Sequence, residues 1–170
     1  MRRLSVLLAA FFLGLTAAMA QPIEKRVENL DVTADGWVYF SLRENGPVVV
    51  VNEADDDWDL AFNSVEVRVN GTAQYVDEAF DALDEAPTGG YEATLPTGSG
   101  KAWYLYQFDT HTIVPIPDRV LVLRTRDGKY AKVQFLSFYR DSPDGTPVGP
   151  PRYYTFRYVI QPDGTRSFTR

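Results

Sequence analysis

His111 is the chain's only histidine, and the chain has no cysteine. A lone imidazole between Thr110 and Thr112 can act as a base, as a metal ligand, or as a hydrogen-bonding group that positions a turn. Each use needs particular neighbours. Acyl transfer needs a serine on a sharp glycine-flanked elbow, and Gly98-Ser99-Gly100 lacks that elbow's outer spacing. Metal-dependent hydrolysis gathers several histidines, and thiolate centres need cysteine, so neither is supported. Carboxylates are abundant, yet no spacing singles out a pair for acid–base work. The acidic run at 52–57 offers oxygen ligands, but it lacks the alternation and glycine of a calcium loop and reads as a solvated charge run. No enzyme is expected. On residue types alone, His111 positions the turn before the hairpin that follows it.

Binding is better founded, because rings are plentiful. The sequence holds 3 Trp, 10 Tyr and 10 Phe. Tyrosine and tryptophan offer broad apolar faces with one polar tip, which suits stacking on a flat ligand. Strands favour such residues anyway, so most of them belong to a core. The rings near loops, Tyr91, Trp103, Tyr104, Tyr106 and Tyr153, are the candidate contacts.

The elements that must place these rings read as strands. Residues 119–126 and 129–139 flank Asp127-Gly128, which favours a two-residue turn. That register sets Arg124 opposite Ala131, Val122 opposite Val133 and Val120 opposite Phe135, all on one face. Residues 36–43 alternate, and pairing around Asn45-Gly46 sets Leu42 opposite Val49 and Phe40 opposite Val51. Further strands are expected at 58–62, 65–69 and 153–160, with Tyr154, Phe156, Tyr158 and Ile160 sharing a face. Residues 165–170 are expected to fold back as a last strand, and 21–35 to form an arm or edge strand. Asn70-Gly71-Thr72 matches a glycosylation acceptor but is read as a turn. Helical spacing wins only at 75–86, where Val76, Phe80 and Leu83 fall at i, i+4 and i+7. Two glycine- and proline-rich loops, 88–101 and 141–151, are the candidate pocket walls. The expected fold is therefore all-β, with antiparallel sheets joined by hairpins and one short helix.

Residues 1–20 read as a secretory signal peptide, with Arg2 and Arg3, an apolar run, and Ala18-Met19-Ala20 before the cut. The expected mature chain, 21–170, is one domain with no transmembrane segment and no lipid-bearing cysteine. An exported protein, periplasmic or extracellular, is the expectation. Cleavage would move the net charge from −6 to −8, a surface that repels polyphosphate, so nucleic acid is not an expected partner.

Several stretches of the chain carry a likeness. Trp103-Tyr104, Thr110-His111-Thr112, Pro115, Arg124-Thr125, the run from Asp127 through Lys132, Phe138-Tyr139 and Tyr154-Thr155-Phe156-Arg157-Tyr158, with the earlier Trp58-Asp59-Leu60-Ala61-Phe62, together resemble the HmuY family of exported haem-binding proteins. The resemblance implies an all-β, hand-shaped fold that captures haem outside the cell and passes it to an outer-membrane receptor. It also implies haem as cofactor and His111 as the metal ligand, with the loop rings Tyr104, Tyr106 and Tyr91 as the expected further haem contacts. Family members hold iron between two axial histidines or methionines. Here Met1 and Met19 leave with the signal, so a mature protomer has His111 alone. That leaves His111 with water, His111 with a tyrosine such as Tyr104 or Tyr106, or two copies in a homodimer each giving His111. The alternative is an exported structural or adhesive module that keeps the scaffold without the cofactor.

Overall fold

The computed structural model describes residues 20–55 and 57–169, so the expected leader, apart from Ala20, lies outside the described residues. Among the described residues eleven strands form in chain order: β1 (Ile23–Asp31), β2 (Val38–Ser41), β3 (Gly46–Val48), β4 (Leu60–Asn63), β5 (Glu66–Val69), β6 (Gly71–Asp77), β7 (Tyr104–Gln107), β8 (Thr112–Pro115), β9 (Arg119–Thr125), β10 (Tyr130–Tyr139) and β11 (Pro151–Gln161). They make a five-stranded sheet ordered β1-β11-β10-β9-β6, a four-stranded sheet ordered β3-β2-β4-β5, and the separate pair β7-β8. The strands of these sheets all pair antiparallel.

The two larger sheets are joined by rings. Phe40 and Phe62 from the small sheet meet Phe156 at 5.3 and 5.7 Å between ring centroids, and Phe62 meets Tyr154 at 4.8 Å. Side chains of a strand alternate between faces, so Tyr154, Phe156, Tyr158 and Ile160 all enter this core, as their spacing predicts. Two phenols then tie the layers together. Tyr154 donates to the carbonyl of Ser64 at 2.7 Å, and Tyr158 to that of Leu42 at 2.7 Å. The outer face of the large sheet is also covered, by Phe80, Leu83, Ala86 and Phe168 over Val120, Val122 and Val159. Lys132 is buried beneath this cover, donating to the carbonyls of Phe80 at 2.6 Å and Leu83 at 2.9 Å.

Four expectations need correction. The central hairpin pairs Tyr130 with Arg124, Ala131 with Leu123 and Val133 with Leu121, one residue away from the predicted register. Gly128 alone takes a positive φ, of 84°, and Thr125 donates through its backbone to the Lys129 carbonyl at 2.8 Å, so the loop holds three residues. A slip of one exchanges the faces: Leu121 and Leu123 enter the central core, while Val120 and Val122 face the outer cluster. The second hairpin turns through four residues, 42–45, and pairs Phe40 with Pro47. Buried Asp59 accepts from the Leu42 amide at 2.8 Å and holds that longer turn.

The expected helix at 75–86 is not present. Residues through Asp77 pair along β9 as β6, and only a single turn follows, with the Leu83 amide donating to the Ala79 carbonyl at 3.1 Å. The final segment forms a bridge between Ser167 and Glu85, not a strand. Asn70-Gly71 is a corner where the chain passes from one sheet to the other. Asn70 is buried and donates to the carbonyls of Asp55 at 2.7 Å and Trp58 at 3.0 Å.

Candidate functional site

The β7-β8 pair carries three of the four predicted site residues or their neighbours on one short ribbon. Gln107 pairs with Thr112, leaving Phe108, Asp109, Thr110 and His111 as the loop. His111 closes it with φ of 54°, in the left-handed region that histidine tolerates better than most residues. Polar side chains brace the loop's base. Thr112 donates to Gln107 Oε1 at 2.9 Å, and the Thr110 and Thr112 hydroxyls lie 2.7 Å apart.

Alternation along β7 sends Tyr104 and Tyr106 to the same side and Leu105 to the other. Tyr104 is buried at the root, beside Trp103, whose indole donates to the Val65 carbonyl at 3.0 Å. The root is clamped further by Arg119, which pairs with Asp77 at 2.7 Å and donates to the carbonyls of Gly100 and Ala102, each at 2.9 Å. Tyr106 is half-buried halfway up. At the tip, Phe108 is 77% exposed and its ring stands edge-on to Tyr106 at 5.0 Å.

One contact organises the tip: Tyr106 Oη and His111 Nδ1 are 2.7 Å apart. With the proton on Nε2 the phenol donates to Nδ1; with it on Nδ1 the imidazole donates to the phenol oxygen, and Nε2 keeps an open lone pair. Across the ribbon, the Ile113 amide donates to Tyr139 Oη at 2.9 Å, which ties β8 to the end of β10. Among the described residues no group of three or more His, Cys, Asp or Glu side chains converges as a metal site.

Tyr106, His111 and, below them, Tyr104 are thus brought onto one ribbon, while Tyr91 is not. Tyr91 packs in the outer cluster against Tyr130, 6.0 Å between centroids, and donates to the Pro87 carbonyl at 3.1 Å; burial pushes its phenol up to about 12. Of the two candidate wall loops, 88–101 adjoins the ribbon, with Ser99 accepting from the Tyr106 amide at 2.8 Å. Loop 141–151 lies instead beside β1, where Asn29 and Asp141 exchange two hydrogen bonds of 2.8 Å. Phe108 was not among the expected contacts, although an aromatic residue three positions before the histidine is a signal for it; Tyr139 stood only within the family likeness, and its bond to the ribbon follows from the strand pairing.

Residues 33–95 match the family model described as HmuY protein. An apo HmuY analogue from Tannerella forsythia superposes with a TM-score of 0.64 at 17% identity, over 86% of this chain and 100% of that one. Its fold is HmuY-like. A second HmuY-like protein, from Bacteroides vulgatus, gives a TM-score of 0.54 at 18% identity over 81% and 91% of the two chains. Apo PinO, from Porphyromonas gingivitis, gives 0.57 at 13% over 84% and 98%. Nothing among curated proteins matches. These identities establish the all-β HmuY-like architecture, and the family match lies in the half of the chain that precedes the His111 ribbon. Among the described residues no helix is long and apolar enough to cross a membrane.

Proposed function

We propose that this HmuY-like chain is an exported haem-binding protein that offers His111 to haem iron at the tip of the β7-β8 ribbon and passes its cargo to an outer-membrane receptor. The observation that carries the reading is the 2.7 Å contact between Tyr106 Oη and His111 Nδ1 on an exposed loop. A ligating histidine needs its second nitrogen held so that the ring is oriented and the correct tautomer fixed. Tyr106 supplies that hold, and Nε2 is left for the metal. Phe108 and Tyr106 add ring surface beside it. The description of the Bacteroides vulgatus neighbour names heme binding, which supports the same cargo.

The contact also limits the ligand set. Two atoms in direct hydrogen-bond contact have no iron between them, so His111 and Tyr106 act from one side, as ligand and support. Tyr104 lies buried at the root of the ribbon. A second ligand to the iron would then be water or His111 of a second copy, and a haem-bridged homodimer belongs to the proposal.

Hemin titration tests it. The wild type is expected to develop a Soret band that His111→Ala abolishes. Tyr106→Phe should weaken affinity by about 10–100-fold, the usual cost of losing a ligand's supporting partner. No band, or a band unchanged in His111→Ala, removes His111 from the role, and a colourless protein turns the reading to a structural or adhesive module. Protein recovered after export is expected to begin at Gln21.

A further inference from the structure

We propose a second binding site, for a small organic ammonium ion, in the cleft between the edge strands of the two sheets. The cleft measures about 260 Å³ and is lined by Glu66, Val67, Tyr75, Pro96, Trp103 and Tyr104 among others. It lies where β5 ends one sheet and β6, carrying Tyr75, ends the other.

Three features select a cation. First, Tyr75 and Tyr104 both line this cleft, and among the described residues neither hydroxyl has a hydrogen-bond partner. Neither is sealed from solvent, so each is open to a ligand, whereas the hydroxyls of Tyr154 and Tyr158 are closed by carbonyl partners. Second, Glu66 is the one charged side chain among the lining residues, and its carboxylate acts on the Tyr104 phenol. Third, the cation that acts on Tyr75 is already engaged: Arg119 is bound by Asp77 and by the Gly100 and Ala102 carbonyls.

The adjoining cleft makes the contrast. There Arg68 lies over the Trp37 ring at 3.9 Å, so the aromatic wall is served by the protein's own guanidinium. Burial raises both Tyr75 and Tyr104, keeping the phenols neutral, with lone pairs that accept from an ammonium N–H while Glu66 supplies the counter-charge. Apolar walls from Val67, Pro96 and Trp103 fit a short hydrocarbon tail. The volume falls below the usual range for a drug-sized ligand, roughly 300–1,000 Å³, which points to a compact amine.

Calorimetric titration with 2-phenylethylammonium, its neutral isostere 2-phenylethanol and the anion phenylacetate tests the site. The amine is expected to bind about tenfold or more tightly than the alcohol, the usual scale for a hydrogen bond to a charged group, and phenylacetate least. Glu66→Gln should bring the amine to the level of the alcohol. Tyr75→Phe and Tyr104→Phe should each weaken it several-fold while the proteins stay folded by circular dichroism. His111→Ala should leave amine binding unchanged, which separates this site from the haem proposal. Equal affinity for amine and alcohol, indifference to Glu66→Gln, or loss in His111→Ala would overturn it, as would no binding of the amine at all.

Discussion

Replacing Tyr154 by Phe should unfasten the two sheets, and replacing Tyr75 by Phe should not. Tyr154 is fully buried, and its hydroxyl donates at 2.7 Å to the carbonyl of Ser64, in the turn between β4 and β5. The same turn accepts a second bond, from the Trp103 indole to Val65 at 3.0 Å. Deleting the phenol oxygen takes the donor from the Ser64 carbonyl, which lies in an exposed turn where water can replace it, while the ring still fills the core. A lost hydrogen bond of this kind costs about 0.5–1.5 kcal/mol. For a chain of this size each kcal/mol lowers Tm by roughly 2–4 °C, so a cost near the middle of that range gives a fall of about 2–4 °C. Tyr75 has a similar ring but, among the described residues, no partner for its hydroxyl, and its removal orphans nothing there. Its change should stay within about 0.5 kcal/mol. Urea unfolding of the two variants beside wild type, with equal m-values as the check that the unfolded states match, decides the matter. A neutral Tyr154→Phe, or a Tyr75→Phe as costly as it, would refute the assignment of partners on which both the sheet clasp and the proposed cation site depend.

Two further outcomes follow from close approaches and burial. Gly71 turns the chain between sheets with φ of 146°, and a Cβ there would lie 2.2 Å from the Arg124 carbonyl oxygen. Gly71→Ala should therefore cost at least about 2 kcal/mol in urea unfolding, and a neutral result would show that the corner can shift. Lys132 has its ammonium pKa lowered by burial, with Asp81 and Asp84 opposing and Arg157 adding. The unfolded chain thus binds that proton more firmly than the fold does. Stability owed to this side chain is flat at low pH and rises as pH climbs through the depressed folded value toward the ordinary 10.5. Lys132→Met should lose this rise while keeping the slopes due to other groups. A variant that keeps the wild-type slope as pH approaches the ordinary 10.5 from below would contradict the direction of the shift.

What the sequence made legible was which residues share a side; what it hid was the backbone that puts them there. Val76, Phe80 and Leu83 have helical spacing, and all three do join one cluster on the outer face. A strand end followed by one turn satisfies the same spacing, and the pairing of Asp77 with Arg119 decides in its favour. The central hairpin shows the same ambiguity. Valines 120 and 122 and leucines 121 and 123 are equally apolar, and both faces of β9 are covered, so nothing in the residue types could detect a slip of one. The register rests instead on Thr125, whose hydroxyl is 2.5 Å from Asp127 Oδ1 and receives the Lys129 amide at 2.8 Å, which widens the loop to three residues.

The candidate site follows the same logic. Its rings were visible as aromatics near loops, but whether they meet depends on parity along a strand and on which face of a sheet each loop crosses. Tyr104 and Tyr106 are two apart on β7 and fall on one side. Tyr91 reaches the opposite face of the large sheet because its loop crosses β6, where Ala73 and Glu92 exchange backbone hydrogen bonds of 2.8 and 2.9 Å. The bond between Tyr106 and His111 requires a further coincidence. The loop must hold four residues, and its last residue must accept a left-handed backbone so that the imidazole turns back over β7. Histidine tolerates that conformation better than a β-branched residue would, so the residue that offers the chemistry is also the one that shapes the loop presenting it.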